Sequence, residues 1–404
     1  MSKIKKIKGR QVFDSRGNPT VEAEVFSENG SATAIVPSGA STGSYEAFEL
    51  RDTQSQDYLG KGVSKAVKNI NETISNTLIN KDIFDQAIID KTLLKLDGTE
   101  QKKNLGANAL LAVSIATTKL AALEKKVSLF KYLGGSSVNQ LPVPLMNIIN
   151  GGAHANNSLE IQEFMIRPDS AKNFKECMKF SFLVIQKLKQ KLEKMKISTS
   201  VGDEGGFAPS LKSDNEAIEL IIDSINSVGF KYGQDISICL DVAANELENP
   251  KNVEYYINLI DKYKIKSIED PFHEDDWSSY EKLTNQTNIQ IVGDDLFVTN
   301  FERLKKGIKN KSANAILIKP NQIGTVTETI NAIKLAHENN FKTIISHRSG
   351  DSEDTFIADL AVATSSSQIK TGSLARSERV SKYNRLIRIE KELGNSSKMA
   401  KIKI

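Results

Sequence analysis

The amino-acid sequence predicts an α/β protein in which a C-terminal (β/α)8-type barrel follows a smaller N-terminal α+β capping domain. Six apolar runs recur at intervals of 23 to 28 residues, each ending in a polar residue. That spacing fits one strand, one helix and two loops. The first 50 residues alternate with a period of two instead. A length of 404 residues also exceeds what one hydrophobic core usually organises.

The N-terminal part is predicted to begin with a small antiparallel sheet. The strand IKGRQVFDS leads through a turn into VEAEVFSENGSATAIV, which reads as two strands around residues 28–30. Helical spacing follows in VSKAVKNINETISNTLI and NALLAVSIATTKLAALEKK. Glycines and prolines then punctuate YLGGSSVNQLPVP. We therefore expect residues 1–135 to form the N-terminal domain and residues 136–404 the barrel domain.

The C-terminal part is predicted to hold about eight strands, the number that closes a small packed barrel. PLMNIIN and EFMIRP read as strands and FKECMKFSFLVIQKLKQKLEKM as a helix, ahead of six strand–helix units. Barrels of this kind gather their chemistry at the C-terminal ends of the strands. The polar residues that end the six runs are Asp241, Glu269, Asp294, Lys319, His347 with Arg348, and Lys370.

Composition excludes several classes of protein. The net charge is only +4 and the lysines are scattered, so a nucleic-acid surface is not expected. The basic start lacks the apolar segment of a signal peptide, and no apolar stretch looks long enough to span a bilayer. Cys177 and Cys239 are predicted to be buried free thiols, not disulfide or zinc ligands. We expect a cytoplasmic protein.

Three acidic residues indicate a divalent-metal site. Asp241, Glu269 and Asp294 are hard oxygen donors on consecutive predicted strands, as Mg²⁺ prefers. The alternative is that each one caps the helix after its strand. The matched placement of all three favours the metal. In the doublets with Asp270 and Asp295, the first acid lies closer to the strand and is preferred as the ligand.

Lys319 ends the apolar run ANAILI, one strand after the acidic residues. Bound cations would disfavour its ammonium form, and that would tune it to act as a base. The alternative is a surface lysine whose aliphatic stem is buried.

Three loops carry further candidates. The glycine-rich GDEGGF segment (202–207) would place its acids precisely, and SGASTG (38–43) could close over the site as a lid. NGGAHA (150–155) contains His154, one of four histidines. Plain turns and a structural histidine are the alternatives.

The last two predicted strands end in cations with hydroxyls nearby. Arg348 with Ser349, and Lys370 with Ser373, could bind phosphate or carboxylate, as the late strands of barrels often do. Ion pairing with the three acids is a competing explanation, and both can hold at once.

Taken together, nine strings spread over the whole chain resemble enolase, the glycolytic phosphopyruvate hydratase. They are DSRGNPT (14–20), SGASTG (38–43), QEFM (162–165), GDEGG (202–206), SIED (267–270), GDDLFVT (293–299), NQIG (321–324), SHRSG (346–350) and IKTGS (369–373).

The resemblance implies a hydro-lyase with two Mg²⁺ ions per active site. Asp241, Glu269 and Asp294 would hold the first ion, and Ser41 would help to hold a second that arrives with 2-phosphoglycerate. Lys319 would remove the α-proton, and Glu204, with Glu163 close by, would protonate the departing hydroxide. The residues expected to position carboxylate and phosphate are His154, Gln162, Arg348, Ser349 and Lys370.

Two features depart from the pattern of the family. Pro320 stands where many members carry an apolar residue, and because it leaves the lysine side chain intact we expect little loss. The stretch between Asp241 and Glu269 is shorter than usual. The missing part should be surface loop and helix, so oligomer contacts are in doubt and the ligands are not.

Two alternative functions stay open at this point. One is another lyase or racemase of the same superfamily acting on a sugar acid, against which stand the SGASTG loop and the Arg348–Ser349 pair. The other is surface adhesion or plasminogen binding, which the lysine-rich tail KMAKIKI could invite. A C₂ homodimer is the family-based expectation, and the sequence leaves a larger ring as the alternative.

Overall fold

The computed structural model describes residues 2–40 and 42–402, which form a small sheet with helices followed by a closed eight-stranded barrel. The predicted α/β fold class, with a barrel behind a smaller α+β part, is confirmed. The exact division between residues 135 and 136 stays a prediction. One residue of the predicted site, Ser41, lies outside the described residues.

The N-terminal sheet is an antiparallel meander of β1 (Lys6–Phe13), β2 (Pro19–Phe26) and β3 (Ser31–Ile35), as predicted. The turn between β1 and β2 is built around Asp14, whose carboxylate accepts the backbone N–H groups of Arg16 and Asn18. The alternation of buried and half-buried residues along β2 gives the sheet one core face.

Helices cover that face. They are α1 (Ser64–Asn69), a π-helical turn (Ile70–Ile74), α2 (Ser75–Leu78), α3 (Gln86–Asp97), α4 (Ala107–Glu124) and α5 (Leu129–Gly134), with a 3-10 turn at Asp57–Gly60. Both predicted helices are present, although the first is interrupted by the π-helical turn. The sequence reasoning did not assign α3.

The expectation that no apolar stretch is long enough to span a bilayer is wrong for helix α4. Its 18 residues have a mean hydropathy of 1.2, so by length and composition it could cross a bilayer. In the structure 83% of it is buried, and it packs against β2 and β3. Its apolar composition therefore matches a core helix that is surrounded by protein on nearly all sides.

The barrel closes in the order β5 to β12, with β12 pairing back to β5. Its strands are β5 (Val143–Asn150), β6 (Glu163–Arg167), β7 (Ser237–Asp241), β8 (Ser267–Glu269), β9 (Gln290–Gly293), β10 (Ala315–Ile318), β11 (Lys342–Ser346) and β12 (Gln368–Lys370). A two-stranded sheet of β4 (Gln140–Leu141) and β13 (Lys398–Met399) lies outside the barrel.

One strand does not follow the repeating strand–helix plan. β6 runs antiparallel to both β5 and β7, and a loop with one 3-10 turn (Gly152–His154) joins it to β5. Parallel strands need a long crossover, usually a helix, so two strands joined by a helix-free connection pair antiparallel. Because of this orientation, β6 begins at the barrel mouth where β5 and β7 end.

Helices pack around the barrel, and most are capped by a polar side chain. They are α6 (Phe174–Lys194), α7 (Asp214–Ser227), α8 (Val253–Tyr263), α9 (Trp277–Gln286), α10 (Phe301–Asn310), α11 (Pro320–Ile323), α12 (Val326–Glu338), α13 (Phe356–Ala363) and α14 (Ser377–Leu393), with 3-10 turns at Ala244–Glu246 and Gly394–Ser396. Pro320 occupies the first turn of α11, a position where the missing N–H has no helical partner to lose.

Candidate active site

The predicted chemical residues meet at one mouth of the barrel. Their side chains line a pocket that the N-terminal part of the chain also reaches, through Gly39. The lining residues are Gly39, His154, Gln162, Glu163, Glu204, Asp241, Ala243, Asp270, Asp294, Asp295, Lys319, Ser346, His347, Arg348, Ser349 and Lys370. Glu269 is not part of this lining, but it accepts a hydrogen bond from Lys370, which is.

A row of three carboxylates crosses adjacent strands. Glu163 pairs in register with Asp241, and Asp241 pairs in register with Glu269, so the three side chains point to the same side of the sheet. Lys370 Nζ donates to Asp241 Oδ2 at 2.7 Å, to Glu269 Oε1 at 2.8 Å and approaches Glu163 Oε1 at 3.1 Å. All four residues are buried. Lys370 thus compensates a concentrated negative charge.

The pKa values of this row follow from burial and mutual charge. Burial alone would lower the pKa of Lys370, but the carboxylates of Asp241, Glu163 and Glu269 raise it well above its usual range. Burial and the charge of Asp241 raise the pKa of Glu269. The competing explanation, ion pairing with the three acids, therefore holds for Lys370, whereas Arg348 pairs with Glu46.

Lys319 lies beside Asp294, with its ammonium in contact with the carboxylate. Its backbone N–H donates to Thr299 Oγ1 at 2.9 Å, and Gln322 Nε2 donates to the other carboxylate oxygen of Asp294 at 2.9 Å. Burial lowers the pKa of Lys319, but Asp294 outweighs it and the net direction is upward. Nearby positive charge was expected to lower the pKa of Lys319. Arg348 and Lys370 do act in that direction, but their combined effect is too small to reverse the rise caused by Asp294.

The helix-capping alternative for the acids does not hold. The side chains that cap α8, α9 and α10 are Asn252, Asp276 and Asn300. Asp241, Glu269 and Asp294 instead project into the mouth, where they contact lysine side chains.

The second acids of the two doublets also belong to this site. Oxygens of Asp270, Asp294 and Asp295 all lie within 4.8 Å of one another, a grouping that could hold a metal ion. Asp270 accepts the backbone N–H groups of Asp294 at 3.0 Å and Asp295 at 2.6 Å. The structure therefore brings Asp294 close to Asp270 and Asp295, whereas Asp241 and Glu269 meet at a lysine.

Burial dominates the pKa values of these second acids. Together with the charge of Asp294, it raises the pKa of Asp270 to about 7. Burial and the charge of Asp270 raise the pKa of Asp295 to about 9. Neither residue was predicted from the sequence as a metal ligand, although the acidic doublets themselves were the signal that could have identified them.

On the opposite side of the mouth, Glu204 lies with Glu163 and two histidines. Carboxylate and ring atoms of His154, Glu163 and Glu204 all lie within 4.8 Å of one another. Asn147 Nδ2 donates to Glu204 at 3.2 Å, and His347 Nε2 is 3.2 Å from the other carboxylate oxygen. His347 was not among the predicted site residues. It is nevertheless the polar residue that ends the β11 run, and that position was the signal that could have identified it.

The pKa values of the two glutamates move apart. Burial and the negative charge of Glu204 raise the pKa of Glu163 well above its usual range. Burial would raise that of Glu204 too, but His347, His154 and Arg379 bring its pKa well below that range. When Glu163 and Glu204 share a single proton in this arrangement, that proton is therefore on Glu163.

His347 is fixed by Arg379. The guanidinium contacts His347 Nδ1 and donates to the carbonyl oxygens of Arg348 and Ser349, both at 2.6 Å. Burial lowers the pKa of His347 to about 4, so the ring is neutral at pH 7. Because Nδ1 accepts from an arginine, the ring proton is on Nε2, which faces Glu204.

The remaining predicted residues surround the same space. Arg348 forms a two-pronged ion pair with Glu46, and Ser349 Oγ accepts the backbone N–H of Ala40 at 2.6 Å. Gln162 Nε2 lies 3.4 Å from Asp241 Oδ2. Gly39 and Ala40, which precede Ser41, thus reach the mouth, and closure of this loop as a lid stays a prediction.

Comparisons with known proteins agree with this arrangement. The model of the enolase N-terminal domain matches residues 4–133, and the model of the enolase C-terminal TIM barrel domain matches residues 138–255 and 247–404. A curated protein named "Enolase" from Pelagibacter ubique (strain HTCC1062) is 61% identical to this chain. The alignment extends over 417 residues and covers 100% of both chains.

Proposed function

The chain belongs to the enolase family of hydro-lyases, and on this premise we propose that it catalyses the reversible, Mg²⁺-dependent dehydration of 2-phospho-D-glycerate to phosphoenolpyruvate in glycolysis and gluconeogenesis. One observation supports this most strongly. Lys319 lies beside the carboxylate of Asp294 in the pocket at the barrel mouth, and the Glu163–Glu204 pair lies with two histidines among the same lining residues. That is the division between base and acid that removal of water requires.

The donor set fits the divalent cation that the family implies. Asp241, Glu269 and Asp294 offer buried carboxylate oxygens, the ligand type that Mg²⁺ prefers. Their charges are compensated here by two lysine ammonium groups, which shows that this part of the mouth favours positive charge. When bound, the metal would act as a Lewis acid toward the substrate carboxylate. The number of ions, two per site with Ser41 at the second, is part of the proposal.

Lys319 is proposed to take the α-proton. As a free amine, its Nζ accepts the proton from C2, and the electron pair left behind is delocalised into the carboxylate. Positive charge near a lysine favours its amine form, and Arg348 and Lys370 already act in that direction. Because only 14% of the Lys319 side chain is exposed, water competes little for its proton.

Glu204 is proposed to complete the dehydration, with Glu163 as its partner. The C3–O bond breaks as the C2–C3 double bond forms, and the departing hydroxide needs one proton to leave as water. Glu163, whose pKa is raised, holds that proton at rest and passes it to the adjacent Glu204, which delivers it to the departing hydroxide so that water leaves. The neutral His347 has its Nε2 3.2 Å from Glu204 and would help to keep that carboxylate in place.

Phosphate and carboxylate would be positioned by the remaining predicted residues. Arg348 offers the planar N–H fork that suits a phosphate, and Ser349 and His154 line the same cavity. Lys370 and Gln162 lie against Asp241 and are proposed to face the substrate carboxylate.

The reaction can be tested through the ultraviolet absorbance of phosphoenolpyruvate. With purified protein, 2-phosphoglycerate and Mg²⁺, we expect the absorbance to rise, to stop when excess chelator is added, and to resume when Mg²⁺ is restored. A flat trace from folded protein supplied with Mg²⁺ would contradict the proposal, and sugar acids would then be assayed by loss of water. A rise that chelator leaves unchanged would contradict the metal dependence alone.

Assembly, location and a second role follow from the resemblance only. We propose a homodimer or larger ring in the cytoplasm, and plasminogen binding stays a secondary hypothesis. The structure bears on how that hypothesis is tested, because β13 at the start of the tail pairs with β4. Deleting residues 398–404 would remove this strand too, so substituting Lys401 by Gln is the cleaner experiment.

A further inference from the structure

Glu46 extends from the N-terminal part of the chain to the barrel mouth. Its carboxylate pairs with the guanidinium of Arg348: Nη1 donates to Oε2 at 2.9 Å and Nη2 donates to Oε1 at 3.1 Å. The exposed fraction of the side chain is 3% for Arg348 and 9% for Glu46. Two parallel N–H···O bonds between buried partners fix the plane of a guanidinium as well as its position.

The same carboxylate is held by two further donors. Glu46 Oε1 accepts the backbone N–H of Gly43 at 3.1 Å and the Nε2 group of Gln322 at 3.3 Å. These two bonds hold the carboxylate in place independently of Arg348. A fixed carboxylate can orient an arginine, whereas one on a freely rotating side chain would follow it.

Gln322 connects Glu46 to the catalytic lysine. Its Nε2 group also donates to Asp294 Oδ1 at 2.9 Å, and its Oε1 accepts from Thr299 Oγ1 at 2.8 Å. Asp294 contacts Lys319 through its other oxygen. A continuous hydrogen-bonded chain thus leads from Arg348 through Glu46 and Gln322 to the base.

Two effects of Glu46 on phosphate binding oppose each other. Its negative charge repels a phosphate, which would weaken binding, while its two bonds keep Arg348 in one orientation. The pair is buried and bidentate, so the orienting bonds are of the strong, charge-assisted kind. Without Glu46, Arg348 would keep its 3.2 Å bond to Asn321 but not the two-pronged constraint, so it would lose more side-chain freedom when the substrate binds. The orienting effect is therefore expected to dominate.

We propose that Glu46 is a positioning residue for substrate phosphate: it acts through Arg348, and it makes the N-terminal part of the chain a contributor to phosphate recognition. The inference rests on the proposed function, because it takes 2-phosphoglycerate as the substrate and Arg348 as its phosphate ligand. Glu46 itself need not touch the substrate.

The test is the variant Glu46→Gln, which keeps the shape of the side chain and removes the charge. One carboxylate oxygen becomes an N–H₂ group that faces an N–H of Arg348, so the fork is broken. We expect KM for 2-phosphoglycerate, and the inhibition constant of inorganic phosphate, to rise about tenfold, which is the size expected for one charge-assisted hydrogen bond. We expect kcat to change much less.

Glu328→Gln is the matched control. Glu328 also joins the two parts of the chain, through an ion pair with Lys102 at 2.8 Å, but neither residue lines the cavity. If Glu46 served only to hold the two parts together, both variants would lower the thermal unfolding midpoint and leave both phosphate constants unchanged. An unchanged or lower KM in Glu46→Gln would overturn the proposal.

A double-mutant cycle distinguishes action through Arg348 from a direct effect of charge. In an Arg348→Lys background the fork is already lost, so we expect Glu46→Gln to add little to KM. Equal effects of Glu46→Gln in both backgrounds would contradict the inference. Failure of the proposed function is recognised separately, because the unmodified protein would then form no phosphoenolpyruvate at all.

Discussion

At the scale of single residues, Lys370 is the group on which the charge balance of the mouth depends. It contacts Asp241, Glu269 and Glu163, all buried and brought into line by the register of three strands. A buried carboxylate without a partner is costly, and three of them side by side are more so. The ammonium group of Lys370 thus compensates the charge of the proposed metal ligands, which allows them to be buried when the protein folds.

The variant Lys370→Met should reveal this dependence. With chelator present at pH 7, we expect it to lower the free energy of unfolding by about 3–5 kcal/mol, because buried charges lose their partner. Urea denaturation followed by circular dichroism gives the value. Lys262→Met, which removes an exposed ion pair with Glu219 and a cation–π contact with Tyr263, is the control and should lower the free energy of unfolding only slightly. Equal stability of the Lys370 variant and the parent would show that water or protonation already compensates the acids.

Asp295 gives the unmodified protein a characteristic pH dependence. Its pKa is raised to about 9 in the folded state, while the unfolded chain ionises near the ordinary aspartate value. The folded state therefore binds more protons, and stability falls as the pH rises, until Asp295 itself ionises near pH 9. Between pH 7 and 9 this one group contributes a loss of up to about 1.4 kcal/mol per pH unit.

Asp295→Asn removes that titration while keeping the shape of the side chain. In chelator, we expect the variant and the parent to have similar stability near pH 4, and the variant to be increasingly the more stable of the two from pH 7 to 9. Denaturant titrations at four or five pH values give the comparison. Parallel pH profiles would mean that Asp295 is ionised in the folded protein at neutral pH.

At the scale of loops and strands, the glycine-rich segment 202–207 places Glu204. Gly205 has φ of +81°, and a Cβ there would lie 2.5 Å from the carbonyl oxygen of Ala375. The backbone of Glu204 is fixed in turn by Ser373, whose N–H donates to its carbonyl at 2.9 Å. The acid of the proposed reaction is therefore held by its neighbours in the loop as well as by its own contacts.

Gly205→Ala and Gly233→Ala separate backbone strain from collision. Gly233 has a similar φ of +77°, but a Cβ there would meet nothing within 4 Å. Both variants should lose about 1 kcal/mol of stability through the positive φ. Only Gly205→Ala should also displace Glu204, and we expect kcat to fall at least about tenfold. Similar kcat values for the two variants would argue against a precisely held acid.

The elements show which parts of the fold were predictable. Strand ends were found because apolar runs stop at polar residues, and six such runs in the order of the barrel placed Asp241 to Lys370 at one mouth. The orientation of β6 was missed, although the connection from Asn150 to Glu163 shows no helical pattern that could serve as a crossover. The roles of Asp270, Asp295 and His347 depend on side-chain packing, which periodicity does not encode.

At the scale of the whole molecule, the site is shared between the two parts of the chain. Gly39 lines the cavity, Ala40 donates to Ser349, and Glu46 holds Arg348, whereas the proposed base, acid and metal ligands come from the barrel. The shortened stretch between Asp241 and Glu269 does not disturb this arrangement, because the two residues remain paired in register. Its effect on oligomer contacts stays a prediction.

The central claim is that Lys319 takes the α-proton and Glu204 assists the loss of hydroxide, and exchange of that proton with solvent tests it most directly. With 2-phosphoglycerate and Mg²⁺ in D₂O, nuclear magnetic resonance would follow replacement of the C2 proton by deuterium in Lys319→Ala and Glu204→Gln, both shown by circular dichroism to be folded. We expect no exchange above background in Lys319→Ala, and continued exchange without net phosphoenolpyruvate in Glu204→Gln. Exchange at the parent rate in Lys319→Ala would contradict the account.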